Sequence, residues 1–351
     1  MTKGVFGLQD ILKLQKLIVP EMVDLLEKRY IILRTIYYNQ PVGRRVLANM
    51  LGLGERIVRT EINFLKTQEL IEINTPGMSV TNNGEVVLEK LKEFIHEIKG
   101  LSETEEQIRK ALGMRKVIIV PGNVSEDANI LNELGKAAAN YAKAIIKNKD
   151  IVALTGGSTI KEVVDSFPKV SGLNDILVVP ARGGMGRKVE TQANTLAARL
   201  AEKLNGNYKL LHVPENLNWQ VLETLTKEDE IREVVATIHK ANILIYGIGR
   251  ADNMARKRGL SKAQQEELLR LGAVGEAFGC YFDKNSNVVS VSPTLGINLN
   301  DISKISTHIA VAGGADKVDA ILATELNREQ GVLITDEGAA MEIIKFLNLD
   351  A

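Results

Sequence analysis

The sequence predicts an α/β protein of two domains, in which a small N-terminal module precedes a larger, doubly wound parallel sheet of the Rossmann-like type. The chain of 351 residues is longer than one ordinary domain needs. Residues up to about 68 carry apolar side chains at helical spacing, and later residues alternate short apolar runs with helix-period segments. We therefore place a first domain at 1–83, an amphipathic linker helix at 84–112 and a second domain at 113–351.

The larger domain is predicted from its apolar runs, which are short, continuous and rich in Val and Ile. Runs of this kind form strands buried on both faces of a parallel sheet; they lie at 116–120, 151–154, 176–179, 243–246, 309–311 and 332–334. Helix-period segments such as 129–147, 191–204 and 262–271 separate them. In such folds ligands bind outside the carboxyl ends of the strands.

The composition limits the function classes. Basic and acidic residues number 44 each, which argues against a protein that coats nucleic acid or membranes with its whole surface. Cys280 is the only cysteine, so no intrachain disulfide or thiolate zinc cluster is expected, and a reducing, cytoplasmic location fits. We expect Cys280 to be a small buried hydrophobe. We expect neither a membrane span nor, from the scattered histidines, a metal site.

The N-terminal module is predicted as three helices and a hairpin. Residues 21–38 form an amphipathic helix; 41–50 begin a shorter one that ends at a glycine turn; 55–66 resume the period, with Ile57, Val58, Ile62 and Leu65 inward. Two alternating strands, 70–73 and 78–81, then flank a turn. This order is typical of a winged helix-turn-helix, and a small helical bundle with a basic face is the alternative.

One face of this module is suited to double-stranded DNA. Residues 31–68 contain six basic and two acidic residues. Arg56, Arg59, Thr60 and Asn63 share the polar face of the third helix, so they can enter a major groove and meet base edges. Arg44 and Arg45 start the preceding helix, where they can bind phosphates and position the module.

The linker stretch 84–112 has apolar residues alternately four and three apart, a short heptad pattern. Its members are Val87, Leu91, Phe94, Ile98, Leu101, Ile108 and Leu112, with Glu105 in one position. One interpretation is a helix that pairs two copies of the chain. The other is a single amphipathic helix packed on its own domain.

Glycine loops at four strand ends predict an anion site in the large domain. At residues 155–159 the glycines Gly156 and Gly157 free backbone amides, and Ser158 and Thr159 add hydroxyl donors. Neither the Walker nor the dinucleotide fingerprint is present, which disfavours a nucleotide. The fourth run ends in the glycine segment GIGR at 247–250, and other strand ends add cations, namely Arg182 and Arg187 after the third run and Lys317 after the fifth. A phosphate group is the expected ligand.

Residues 155–159 and 313–316 resemble the ribose-5-phosphate isomerase and glucosamine-6-phosphate deaminase superfamily, which implies a sugar phosphate at these loops. That superfamily includes enzymes that act by carboxylate acid/base chemistry, for which Glu276 or Asp316 would serve. A sugar-phosphate isomerase or deaminase-like enzyme is therefore the alternative function.

With the winged module, the whole chain resembles the SorC family of sugar-responsive bacterial repressors. The matching segments are PVGRR (41–45), VPARGG (179–184), QANT (192–195), EAFG (276–279) and TDEGAA (335–340). The resemblance implies a repressor rather than an enzyme, without a cofactor or catalytic residues. It further implies the operator of a glycolytic gene cluster, dimers that pair into tetramers on that DNA, and fructose-1,6-bisphosphate as inducer.

The same resemblance assigns the pocket residues. Gly156, Gly157, Ser158 and Thr159 would hold one phosphate; Arg182 and Lys317 supply positive charge; Gln192 and Glu276 bond sugar hydroxyls. The chain departs from the family pattern at Ala315-Asp316 before Lys317, and a monophosphate ligand remains the alternative to the bisphosphate. Trp219 is expected to pack or anchor its loop rather than to stack on a ligand.

Overall fold

The computed structural model describes residue 15 and residues 17–183, 188–213, 217–324 and 328–349. The chain divides into two compact units, Met1–Ser102 and Glu103–Ala351. In the part of the chain so described, no helix is both long and apolar enough to cross a membrane. We describe each unit by itself.

The N-terminal unit has the predicted order of helices and hairpin. Its elements are α1 (Pro20–Asn39), α2 (Arg44–Leu51), α3 (Glu55–Thr67), β1 (Ile71–Asn74), β2 (Gly77–Val80) and α4 (Asn82–Ile98). Buried Ile32, Leu47, Val58, Ile71 and Ile95 come from five of these elements and share one core. The sequence interpretation as a winged helix-turn-helix is confirmed at this level.

The turn between α2 and α3 depends on glycine. Gly52 closes α2 in the left-handed conformation, with φ of 61°, which residues with a side chain rarely adopt. Gly54 then precedes α3 in an extended conformation. The expected inward position of Ile57 is wrong, because 46% of this residue is exposed. The buried face of α3 instead comprises Val58, Glu61, Ile62 and Leu65.

The hairpin is extended by a third, very short segment. Val42 N donates to Met78 O at 3.1 Å, and Met78 N donates to Val42 O at 2.9 Å. A Cβ atom on Gly77 would lie 2.9 Å from the Val42 backbone, so this close approach requires glycine. The segment before α2 is thereby tied to the hairpin.

The heptad stretch forms two helices, α4 and α5 (Leu101–Leu112), rather than one. Gly100 lies between them with φ of 67°, outside the helical region. In α4, Ile98 of the heptad is buried against Val23 of α1, and Leu91 and Phe94 are partly buried in the same unit. These heptad positions pack within their own unit, as the second interpretation proposed, but the stretch forms two helices rather than the single helix that it assumed.

The C-terminal unit is built on a seven-stranded sheet whose neighbours are all parallel. Its strands, in spatial order, are β3 (Lys116–Val120), β13 (Gly331–Asp336), β12 (Thr307–Val311), β7 (Ile243–Gly247), β4 (Ile151–Leu154), β5 (Leu177–Pro180) and β6 (Asn207–Tyr208). Six of them match the predicted runs, and β6 was missed because it has only two residues. Glu105 of α5 accepts a 2.7 Å hydrogen bond from Ile119 N on the edge strand β3, which accounts for a carboxylate in the heptad.

The helices of this unit surround the parallel sheet. The unit also contains a second sheet, which was not predicted. The helices are α6 (Ile130–Ile145), α7 (Ser158–Ser166), α8 (Ala193–Lys203), α9 (Trp219–Leu225), α10 (Asp229–Ile238), α11 (Ala251–Lys257), α12 (Lys262–Arg270), α13 (Leu299–Ile302), α14 (Val318–Thr324) and α15 (Glu337–Phe346). The second sheet is antiparallel and contains β8 (Gly249–Arg250), β9 (Gly275–Ala277), β10 (Cys280–Phe282) and β11 (Val288–Val291).

The strand order places a crevice beside β4. The chain runs outward from β4 to β5 and β6 and then returns to β7 on the other side of β4. Connections that leave in opposite directions open a gap at the carboxyl ends of the strands, where ligands of open α/β sheets bind. The glycine loops lie at these ends.

Candidate functional site

The loop after β4 presents the start of α7. Gly157 has φ of 118° and faces open space, since an added Cβ would meet no atom within 4 Å. Helix α7 starts at Ser158 with no side-chain cap, so its first amides are available to a ligand, and the helix dipole favours an anion there. Ser158 is exposed and Thr159 half-buried. The predicted loop residues therefore form one surface.

Gln192 lies beside this loop. Gly157 N donates to Thr191 O at 2.8 Å, and a Cβ on Gly156 would lie 2.7 Å from the same oxygen. Position 156 therefore requires glycine for the close approach of residues 191–193. Gln192 is the residue before α8, so the contact brings its backbone next to the loop after β4.

The strand end after β5 supplies a buried arginine. Arg182 and Glu276 are 5% and 4% exposed, and Arg182 Nη1 lies 3.7 Å from Glu276 Oε1. The carboxylate also accepts a 2.7 Å bond from Gly279 N. An added Cβ on Gly279 would lie 2.8 Å from Arg182 Nη1, so glycine there makes room for the guanidinium group. The two predicted residues are thus brought together.

A second arginine, which the sequence interpretation missed, completes this cluster. Arg258 Nη2 donates to Glu276 Oε1, and Arg258 Nη1 donates to Ser292 Oγ at 3.1 Å. Among the described residues, nothing accepts a hydrogen bond from the buried Arg258 Nε. Two buried guanidinium groups thus converge on Glu276, and guanidinium groups are suited to binding an anionic ligand.

The loop after β12 carries Lys317 and is held by Asp336. The Asp336 carboxylate is fully buried and accepts bonds from the backbone N–H groups of Val124, Gly314 and Ala339. It therefore joins the loop after β3, the loop after β12 and the start of α15. Burial lowers the pKa of the Lys317 ammonium group, and the carboxylate of Asp316 opposes that shift.

Three further residues of the large domain carried predictions, namely Arg187, Cys280 and Trp219. Arg187 lies outside the described residues. Cys280 is buried, as expected, and burial raises the pKa of its thiol. Trp219 was expected to pack or anchor its loop, but 58% of it is exposed at the start of α9. Within the described ranges, no group of three potential metal ligands is found.

The polar face of α3 in the N-terminal unit is exposed as predicted. Arg56, Arg59, Thr60 and Asn63 are all exposed, and Thr60 Oγ1 donates to Arg56 O at 3.1 Å. Arg44 and Arg45 are exposed at the start of α2, and Arg45 pairs with Glu55 at 3.1 Å. The arginines are therefore open to a large anionic partner.

The buried carboxylate of Glu61 connects α3 to α1. Glu61 pairs with Lys28 and Arg29 of α1, each at 2.9 Å, and Arg29 lies 3.5 Å from the centre of the Phe64 ring. Burial raises the pKa of Glu61, but the hydrogen bonds from Arg29 and Lys28 outweigh it and hold the pKa below its ordinary value. These contacts attach α3 to α1.

Comparison with protein-family models also divides the chain into two parts. Residues 25–95 match the CggR N-terminal DNA-binding domain. Residues 96–345 match a sugar-binding domain. An N-terminal DNA-binding domain is thus followed by a C-terminal sugar-binding domain.

Curated relatives extend over nearly the whole chain. The central glycolytic genes regulator of Priestia megaterium is 39% identical over 342 residues, which is 97% of this chain and 100% of that protein. The protein of the same name from Bacillus subtilis is 38% identical over 338 residues, 96% of this chain and 99% of its own. Both names describe a regulator of genes, and the enzyme alternative gains no support from them.

Solved structures that resemble this chain are also those of regulators. A SorC family transcriptional regulator from Enterococcus faecalis has a TM-score of 0.65 and 35% identity, covering 69% of this chain and 99% of its own. The full-length sorbitol operon regulator of Klebsiella pneumoniae has a TM-score of 0.63 over 92% of this chain and 99% of its own. At 18% identity it bears on the fold alone.

Proposed function

This chain belongs to the SorC family of transcriptional regulators, and from that premise we propose that it represses a glycolytic gene cluster and is induced by fructose-1,6-bisphosphate. The N-terminal unit binds the operator in the ligand-free state. The sugar bisphosphate binds at the carboxyl edge of the seven-stranded sheet. Its binding favours a conformation with lower affinity for the operator, since a ligand shifts an equilibrium only by its differential affinity for the two states.

The observation that carries the proposal is the buried cluster in which the guanidinium groups of Arg182 and Arg258 converge on Glu276. Arginine binds phosphate with two parallel hydrogen bonds, so this cluster suits a phosphate group. The uncapped start of α7 adds backbone donors on the neighbouring strand. These features suit a phosphorylated ligand better than a neutral sugar.

The spacing of the loops supports a ligand with two phosphates. The loop at Gly156–Thr159 follows β4 and the loop at Lys317 follows β12, with β7 between them. Two strand spacings correspond to about 10 Å. Gly247 ends the intervening strand without a side chain, and an added Cβ there would meet its nearest atom only at 3.8 Å. A sugar can lie over β7 with a phosphate at each side.

The operator is bound through α3 in this proposal. Arg56 and Arg59 meet base edges and Arg44 and Arg45 meet phosphates, which separates sequence recognition from positioning. Two copies of the chain bind two half-sites, and dimers pair into tetramers on the DNA. A cytoplasmic location and independence from any cofactor follow from this mode of action.

A catalytic role is not favoured by the geometry. Glu276 already accepts hydrogen bonds from Arg258 and Gly279, and Asp316 accepts from Arg250 and Ser125. A general base needs a carboxylate that is directed at the substrate proton. Donors of the protein itself already bind both oxygens of Asp316 and the Oε1 atom of Glu276.

A reporter experiment tests the proposal. The region upstream of the gene cluster is fused to a reporter and measured with and without this protein, in cells grown with or without a glycolytic sugar. Repression requires low expression when the protein is present, and induction requires recovery on sugar. Expression that rises with the protein would identify an activator and contradict the proposed sign of regulation.

A further inference from the structure

The carboxylate next to Lys317 has two partners from other loops. Asp316 Oδ2 accepts a 3.0 Å bond from Arg250 Nη1, and Asp316 Oδ1 accepts a 3.2 Å bond from Ser125 Oγ. Arg250 follows β7, and Ser125 lies in the loop after β3. Asp316 therefore joins three strand-end loops at the side of the sheet where Lys317 lies.

The backbone is shaped to bring this carboxylate close to its own loop. Gly314 has φ of 107°, and an added Cβ would lie 2.8 Å from Asp316 Oδ1 and 3.0 Å from Ser125 Oγ. Any side chain at position 314 would push the carboxylate away. Gly314 is itself fixed by the buried Asp336, so the loop and the carboxylate have a defined place.

Among the described residues, Arg250 has partners at this point and Lys317 has no hydrogen-bond or ion-pair partner. Arg250 Nε and Nη2 both donate to Asp252 at 3.1 Å, and its third donor group is directed at Asp316. Lys317 Nζ has no hydrogen bond or ion pair with any described residue. The carboxylates of Asp252 and Asp316 thus accept from Arg250, and the Lys317 ammonium group is available to an incoming anion.

We propose that Asp316 is an internal counter-ion that a phosphate group of the ligand replaces at Arg250, so that position 316 sets the selectivity between sugar bisphosphates and sugar monophosphates. The proposal rests on the proposed function of this site. The phosphate nearest β12 binds Lys317 and takes over the Arg250 Nη1 donor. The Asp316 carboxylate turns toward solvent, to which it is already half exposed.

The charge of the ligand determines whether its phosphate group replaces Asp316 at Arg250. A phosphate monoester carries nearly two negative charges at neutral pH and accepts parallel bonds from a guanidinium group, so it competes well with a single carboxylate. The Asp316–Arg250 ion pair is still lost in this exchange. A monophosphate whose phosphate group lies at the start of α7 leaves that ion pair intact and makes no contact with Arg250.

Titration calorimetry on the full chain tests this proposal, with fructose-1,6-bisphosphate and fructose 6-phosphate as ligands. The variants are Asp316→Ser and Asp316→Asn, of which the second keeps the shape and removes the charge. Asp319→Ser is the matched control, because Asp319 is three residues away and pairs with Lys284 at 2.9 Å instead of Arg250.

Both variants at position 316 are expected to bind the bisphosphate about three- to fivefold more tightly, as for the loss of one partly exposed ion pair. Their affinity for the monophosphate and the affinities of the control should stay unchanged. Equal gains for both ligands, or an equal gain in the control, would overturn the proposal. An unchanged bisphosphate affinity would overturn this proposal but leave the proposed function intact. A wild-type chain that binds neither ligand would overturn this proposal and the proposed function together.

Discussion

The candidate binding sites of the two units use arginine in opposite surroundings. In the N-terminal unit the side chain of Arg45 is 84% exposed, and Arg56 and Arg59 are exposed as well. In the C-terminal unit the side chains of Arg182 and Arg258 are 6% and 9% exposed and are held by Glu276. The guanidinium groups are therefore hydrated in one unit and largely excluded from water in the other.

This difference determines how each unit should respond to change. Exposed charges act on a polyanion by displacing counter-ions, so their effects are modest per residue and depend on salt. A buried charge interacts in a medium of low dielectric constant, and removing one partner leaves the other uncompensated. We therefore expect large, local effects in the C-terminal unit and smaller, salt-dependent effects in the N-terminal unit.

The largest effect is expected for Arg182→Ala. Losing a buried guanidinium group should weaken fructose-1,6-bisphosphate binding by about 100-fold, roughly 3 kcal/mol. Operator binding without sugar should persist, so the variant represses permanently. Calorimetry and operator titration measure the two properties. Arg199→Ala, which removes an arginine that pairs with Asp165 in the same unit, is the control and should respond normally.

Arg59→Ala is expected to act on the other unit alone. A bidentate contact to a base contributes about 1–3 kcal/mol, so operator affinity should fall about 10- to 100-fold while sugar affinity is unchanged. Gel-shift titrations at fixed salt measure the loss. Arg270→Ala removes an exposed arginine of the C-terminal unit that pairs with Glu267. If this control weakened operator binding as much as Arg59→Ala, the assignment of the reading face would be wrong.

Glu61→Gln should loosen α3 from α1. At pH 7 the opening free energy of the α3 amides should fall by about 1.5 kcal/mol, because hydrogen bonds to a charged acceptor are lost. The pKa of Glu61 is lowered in the folded protein, so its contribution is complete above the ordinary value of 4.5 and is lost as the pH falls through the folded value. Hydrogen exchange at several pH values measures this, and a difference that grows at low pH would contradict it.

The smallest effect is expected for Arg44→Ala. A phosphate contact positions the unit without reading sequence, so affinity should fall a few-fold, and equally, for the operator and for unrelated DNA. The slope of log affinity against log salt should decrease by about one. A loss confined to the operator would instead place Arg44 at a base.

Much of the fold could be predicted because its signals are local. The strands of the parallel sheet are continuous apolar runs, and β3, for example, has the predicted bounds. The turn at Gly52 and the helices on each side of it also follow from spacing and turn chemistry. Burial on both faces of a sheet leaves a pattern in the sequence that needs no knowledge of distant contacts.

The missed features depend on contacts between distant residues. Arg258 lies in a basic run that is typical of a helix surface, and only the pairing of β8 with β9 brings Glu276 into that region. The strands β8 to β10 have two or three residues each, too few to show a period. Ile57 fits the helical spacing of the buried face, yet α3 turns it to the exposed side.

The central claim is that one sugar phosphate bound to the C-terminal unit weakens DNA binding by the N-terminal unit. Fluorescence anisotropy tests it most directly, with a labelled fragment from upstream of the gene cluster titrated with full-length protein at fixed salt, with and without fructose-1,6-bisphosphate. Tight, specific binding that loosens with the sugar is the predicted result. Specific binding that is unaffected by saturating sugar would contradict the claim.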